Sequence, residues 1–259
     1  MTTGVSHIMT VSARLALPAL AAAALALAGC NKQADTGTAA PTGGTTAAAS
    51  GPATPAPAGG WTEQVIQTPA GGFRMGNPNA AVTLVEYGSR TCPHCGEFAK
   101  ESMPDIKKMV DTGKLSYEFR DFPIHAPDLA AILLGQCNGA STYFPILEAM
   151  FADQVNTLPK LETLPPSFQQ SMQGKTPNEQ AVMWANLLGY TSFVAQRGVP
   201  SAKAQACLAD PKAVDAISAR LQKDQGRIEA TPSFIINNGD ISTGLTWPQI
   251  KAQLAAAGA

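Results

Sequence analysis

Val82-Thr83-Leu84-Val85-Glu86-Tyr87 leads, four residues later, into Cys92-Pro93-His94-Cys95. The first stretch is an apolar, β-branched run and reads as a central strand over 81–87. The second places two cysteines one helical turn apart, with Pro93 suited to the first position of a helix expected over 93–110 and kinked at Pro104. A strand that feeds a Cys-x-x-Cys at a helix start presents a redox dithiol. The thiolate is the attacking species, and Cys92 would sit where unpaired N–H groups and the positive end of the helix dipole favour an anion. His94 adds a donor and partial positive character close to that sulfur. A stabilised thiolate makes the reduced form stable and the disulfide form oxidising. Cys95, one turn further in, is expected to be the resolving thiol that attacks a mixed disulfide and releases product.

The chain has 259 residues and five cysteines. Residues 15–29 are almost wholly apolar after Arg14, too short to span a bilayer comfortably, and read as an export signal over 1–29. They end in Leu27-Ala28-Gly29-Cys30, which resembles a bacterial lipobox and makes Cys30 the expected lipidation site. The competing reading is an ordinary signal peptide whose small residues happen to precede a cysteine. Residues 30–60 are Ala, Gly, Thr, Pro and Ser with few charges, a tether with too little apolar surface to offset its ordering entropy. One domain follows over 61–259, ample for a core.

Setting Cys30 aside leaves an even number of cysteines in an oxidising compartment. Cys92 and Cys95 share a turn and are expected to pair as a redox-active disulfide, leaving Cys137 and Cys207 as a structural bridge. Two separate buried thiols remain the alternative. The net charge of −1 and the lack of basic clusters argue against nucleic acid as a partner.

Beyond the dithiol, 61–73 reads as an edge strand or extended arm broken at Gly71-Gly72, and 115–122 as the next strand. The period then changes to that of helices over 129–139, 143–153, 179–197, 201–208 and 211–225, with a long exposed Pro- and Gln-rich loop over 158–175. Residues 231–237 and 241–245 read as strands joined by a turn at Asn238-Gly239, and a closing helix starts at Trp247. A β-α-β unit and a β-β-α unit therefore flank a helical insertion over about 126–226.

These motifs, in this order, resemble the DsbA family of thiol-disulfide oxidoreductases, specifically its α-proteobacterial branch. The resemblance rests on Thr91-Cys92-Pro93-His94-Cys95 with Phe98, on Phe119-Arg120-Asp121-Phe122-Pro123, on Gly135-Gln136-Cys137-Asn138-Gly139 with Ala206-Cys207-Leu208, and on Ala230-Thr231-Pro232-Ser233-Phe234. It implies an α/β thioredoxin fold with an inserted all-helical domain and an enzyme that needs no cofactor. It places a buried acid, Glu86, beneath the active site as a proton carrier for Cys95. The bland reading of Glu86 is an exposed residue on a half-buried strand. The resemblance also makes Pro232 cis, so that it and Thr231 offer backbone to a substrate peptide. Reduced or unfolded exported proteins would be the substrates, and a membrane redox partner would recharge the site. The expected protein is a monomer of the bacterial cell envelope, periplasmic and lipid-anchored to a membrane.

Other readings of Cys-Pro-His-Cys lack ligands. Zinc needs four, and haem attachment needs His where Gly96 stands. Copper held by the two cysteines and His125 would make the chain a carrier rather than an enzyme. Within the redox reading, Thr231 departs from the Val of the best-known DsbA oxidases and resembles the isomerases and reductases. An oxidase is the leading expectation, with a reductase or isomerase, for example in cytochrome maturation, as the alternative.

Overall fold

The structure, a computed structural model, describes residues 55–259. The expected export segment, Cys30 and nearly all of the tether lie outside the described residues.

Six strands form one sheet in the order β1-β2-β4-β3-β5-β6. They are β1 (Val65–Gln67), β2 (Phe73–Gly76), β3 (Val82–Gly88), β4 (Leu115–Asp121), β5 (Ser233–Ile236) and β6 (Ser242–Thr243). β3 and β4 are parallel and joined by helix α1 (Pro93–Asp111); every other pairing is antiparallel. β3 is buried at every position but Thr83. Its two faces are both covered, so alternation could not reveal which way Glu86 points. α1 buries Cys95, Phe98, Ala99, Ser102, Met103, Ile106 and Val110, the three-and-four spacing of a helix face.

Eight helices lie between β4 and β5. They are α2 (Asp128–Gln136), α3 (Ala140–Ala152), α4 (Gln154–Glu162), α5 (Pro166–Ser171), α6 (Pro177–Leu188), α7 (Tyr190–Ala195), α8 (Ser201–Ala209) and α9 (Pro211–Asp224); α10 (Trp247–Ala257) closes the chain. This is the α/β thioredoxin fold with an inserted helical domain. No helix among the described residues is long and apolar enough to cross a membrane.

The edge strand expected over 61–73 is β1, at one edge of the sheet, and the break at Gly71-Gly72 is the turn of a hairpin with β2, closed by Thr68 N–H to Gly72 O and Gly71 N–H to Thr68 O. Three other local expectations are corrected. The loop over 158–175 contains the end of α4 and all of α5. Pro165 and Pro166 take the N-cap and first positions of α5, where a missing N–H costs nothing. Leu161, Leu164, Phe168 and Met172 pack on the helical core at helical spacing, a pattern obscured by the surrounding Pro and Gln. The helix over 179–197 is two, α6 and α7, divided at Gly189 with φ +74. The β5–β6 turn is centred on Asn237-Asn238, φ 50 and 58, rather than on Asn238-Gly239. Gly239 N–H closes it on Ile236 O at 2.9 Å.

α3 joins the two cores. Its Phe144, Leu147 and Phe151 belong to the sheet core and its Ile146 and Met150 to the helical core. The ring of its Tyr143 stacks on Phe73 of β2 at 3.9 Å. Cys137, just after α2, is disulfide-bonded to Cys207 of α8 across 70 residues. Closing that loop removes entropy from the unfolded chain worth about 4 kcal/mol in the chain-entropy model. The Cys137→Ser/Cys207→Ser double variant is expected to lose stability of that order in urea unfolding, with the fold of the sheet retained.

Candidate active site

Cys92 is the N-cap of α1, extended at φ −79 and ψ 120, and Pro93 occupies the first helical position. The Cys92 Sγ lies 3.4 Å from Thr231 O, and the Thr231–Pro232 peptide is cis. Cys92 and Cys95 are both free thiols here, Cys92 4 % exposed and Cys95 fully buried. A hydrogen bond from Cys95 is the largest influence on Cys92, lowering its pKa to about 5 against the opposing effect of burial. Thr231 and the backbone N–H groups of Cys95 and His94 lower it further. The Thr231 hydroxyl is buried without a hydrogen-bond partner, so the thiolate supplies the acceptor it lacks. Cys95 is pushed well above the ordinary thiol range, first by burial and then by its bond to Cys92 and the charge of Glu86. The pair therefore divides into an anionic attacking sulfur and a neutral buried one.

His94 is among the groups that lower the Cys92 pKa, through its backbone. Its imidazole is exposed and meets Glu97 at 3.2 Å. Glu86 is buried, 1 % exposed, and accepts a 2.7 Å hydrogen bond from the Tyr117 hydroxyl. Burial pushes its pKa up to about 8; Tyr117 opposes the rise and the Cys92 charge adds to it. His125 Nδ1 lies 2.9 Å from Thr91 Oγ1. Among the described residues no group of three or more His, Cys, Asp and Glu side chains is arranged to hold a metal ion.

A shallow groove of about 450 Å³ runs beside the dithiol, with His94, Phe98, Thr231, Pro232, Leu245 and Trp247 in its walls. Phe98 packs on Phe234 at 4.6 Å and edge-on to Trp247 at 6.0 Å, which fixes the groove floor to α1, β5 and α10. One wall is thus the nucleophile's own helix and the other is the cis-proline loop.

A family model described as Thioredoxin matches residues 68–256. The chain belongs to the thioredoxin family. Among curated relatives, a Rickettsia bellii protein named as a protein-disulfide oxidoreductase is 28% identical over 163 residues, covering 58% of this chain and 62% of that protein. A Rickettsia conorii protein named in the same way is 39% identical over 71 residues, 27% of this chain and 26% of its own. The chain thus spans less than two thirds of the length of these curated relatives. Among solved structures, a protein-disulfide isomerase from Novosphingobium aromaticivorans has TM-score 0.67 at 28% identity, covering 72% of this chain and 97% of that one. Wolbachia pipientis alpha-DsbA1 has TM-score 0.58 at 23% identity, covering 74% and 92%; it shares the fold, helical insertion included.

This thioredoxin-family site is braced by residues to which sequence reasoning assigns no role. Arg90, 1 % exposed, donates through Nε to Asp121 Oδ1 at 2.7 Å and through Nη2 to Oδ2 at 3.2 Å. Tyr143 and Gln136 also donate to Asp121 Oδ2, at 2.8 and 2.9 Å. Asp128, fully buried, accepts from Ser89 Oγ, Thr91 N–H and Oγ1, and the N–H groups of Ile124 and His125. Gln154 donates to the carbonyls of Arg90 and Cys92 at 3.1 and 3.0 Å. Its side chain lies so close to Gly96 that a Cβ there would collide with it. The only legible signal was the charge of Arg90 and Asp121, each beside or within a motif of the fold. Their partners sit in helices far along the chain.

Proposed function

We propose that the chain is a thiol-disulfide oxidoreductase of the cell envelope that oxidises dithiols in exported proteins. The observation that carries the reading is the Cys92 thiol, lowered to about 5, seated at a helix N-terminus against the carbonyl that precedes cis-Pro232. In the oxidising direction a substrate thiolate attacks Cys92 Sγ and the Cys92–Cys95 bond breaks towards Cys95. Cys95 takes a proton, and the second substrate thiol then displaces Cys92 from the mixed disulfide. The substrate loses two electrons and gains a disulfide; the enzyme ends as Cys92 thiolate and Cys95 thiol, and the proton given up by the second substrate thiol balances the one that Cys95 takes up. Cys95 is thus the leaving group in this direction. It attacks the mixed disulfide only when the step reverses. The backbone of Thr231 and Pro232 positions the substrate peptide as an added strand, and Glu86 exchanges the proton with Cys95.

The names of the Rickettsia relatives support the oxidoreductase class. Compartment and anchoring rest on residues 1–30: export, lipidation at Cys30 and a tether that lets a monomeric domain stand off a membrane. A membrane redox partner would reoxidise the dithiol. Isomerisation is the second reading, favoured by the Thr231 hydroxyl beside the sulfur and by the likeness to the Novosphingobium protein-disulfide isomerase. The deciding assay supplies stoichiometric oxidised protein to reduced, unfolded ribonuclease A and follows thiol loss. Rapid transfer of one disulfide per molecule is expected. No transfer removes the oxidase reading, whereas activity only on scrambled ribonuclease favours the isomerase.

A further inference from the structure

We propose that Tyr117 is a positioning residue of the dithiol site, holding Glu86 Oε2 by a hydrogen bond so that Oε1 alone exchanges a proton with Cys95. The proposal deepens the oxidoreductase reading and rests on it. Glu86 on β3 stands opposite Phe119 of β4, and Tyr117, two residues earlier, shares that face. The Tyr117 hydroxyl donates to Oε2 at 2.7 Å, and both side chains are buried. Oε1 is buried as well and has no partner. A buried polar atom left unpaired is costly and calls for a role.

The groups around Glu86 leave few candidates for that role. β4 supplies Tyr117 and the ring of Phe119, and β5 supplies Phe234, which is apolar. α1 supplies Cys92, whose charge raises the Glu86 pKa, and Cys95, which the Glu86 charge raises in turn. Tyr143 of α3 adds to the upward pressure on the Tyr117 pKa. Tyr117 is itself held well above the ordinary phenol range, first by burial and then by Glu86, so it stays a donor and does not carry the proton away.

When the Cys92–Cys95 bond breaks under attack on Cys92, its electron pair goes to Cys95 Sγ. The proton on Glu86 Oε1 passes to that sulfur, and the carboxylate left behind keeps the Tyr117 hydrogen bond at Oε2. In reverse, the carboxylate takes the Cys95 proton through Oε1 while Cys95 attacks Cys92 Sγ of the mixed disulfide and the other sulfur departs as a thiolate with the electron pair of the broken bond. Removing the Tyr117 hydroxyl weakens the carboxylate relative to the acid and lets the proton settle on either oxygen.

The test isolates the reverse step with the Cys92–glutathione mixed disulfide of the full protein, following release of glutathione by Cys95 across pH. Wild type is expected to speed up as Glu86 ionises, with a midpoint above the ordinary carboxylate range because burial raises it, and lower than in the dithiol form because Cys92 carries no charge in the mixed disulfide. In Tyr117→Phe the midpoint is expected to move up by roughly one unit, slowing release about 10-fold at pH values below the wild-type midpoint. In Glu86→Gln the rise should vanish, and adding Tyr117→Phe to it should change nothing further. A purely structural role would slow the Glu86→Gln background equally; that result, or an unmoved midpoint, overturns the proposal. A readout on wild type covers a Tyr117→Phe variant that does not fold. The infrared carbonyl band of protonated Glu86, assigned by its loss in Glu86→Gln, should lie at the hydrogen-bonded position. A free-carbonyl position overturns the proposal. Failure to oxidise ribonuclease A with the infrared band in place would instead remove the functional reading.

Discussion

Cys92→Ala is expected to lose transfer of disulfides to reduced ribonuclease A by at least about 10³-fold, with the fold intact. No second nucleophile can stand in. Cys95 is fully buried and its thiol is pushed up beyond the ordinary range, so almost none of it is ionised near neutrality. Cys95→Ala is expected to behave differently: Cys92 remains accessible to disulfide reagents and accumulates mixed disulfides it cannot resolve. Alkylation of Cys92 in the reduced protein should rise through about pH 5. The sign of the stability effect follows from the same shift. Cys92 ionises at lower pH in the folded chain than an ordinary cysteine, so between the two values the unfolded chain binds the extra proton. The thiolate's contribution to the reduced form is complete above the ordinary value of 9.0, shrinks as pH falls, and is gone below about 5. The stability advantage of the reduced over the oxidised protein should therefore narrow on acidification. Equal stability of the two forms from pH 5 to 9 would speak against a stabilised thiolate.

Asp121→Ala is expected to cost about 3–5 kcal/mol in urea unfolding, because it leaves the guanidinium of Arg90 charged, buried and unpaired. The Arg90–Asp121 side chains are 0% and 2% exposed. The loss extends past the pair, since Tyr143 and Gln136 give up their shared acceptor. Tyr143 also lies 5.0 Å beneath the guanidinium. One carboxylate thus joins the loop that carries Cys92 to α2 and α3. A surface pair gives the contrast: Lys251–Asp105 meets at 2.7 Å with the lysine half exposed, and solvent screening makes breaking it far less costly than breaking the buried pair. A loss below about 1 kcal/mol for Asp121→Ala would show that the interior tolerates Arg90 without its partner.

The chemistry of the site was more legible in the sequence than its bracing, and the reason is distance along the chain. Cys92, Pro93 and Cys95 declare themselves because a strand, a turn and a helix start are all local patterns. The β-α-β and β-β-α halves could be read from period alone. Glu86 could not, because β3 is covered on both faces and alternation carries no information there. His94 was legible as a neighbour that tunes Cys92, and its backbone does so; that its exposed ring would meet Glu97 was not. Asp128 and Gln154 hydrogen-bond to backbone at residues 90–92 across 37 to 64 positions, a relation that no spacing rule encodes. Pro159, Pro165 and Pro166 suggested a loop where the chain forms α4 and α5: Pro165 and Pro166 stand at the start of α5, where proline is as much at home as in a turn, and α4 accommodates Pro159 in its interior.

Direction of electron flow is where Cys92 and Thr231 pull apart, and one equilibrium decides it. The protein is equilibrated with reduced and oxidised glutathione, quenched, and its Cys92–Cys95 thiols are counted. A thiolate lowered to about 5 stabilises the reduced form, so the pair is expected to be strongly oxidising, about −180 to −120 mV. A potential at or below about −200 mV would contradict an oxidase and make the dithiol a reductant.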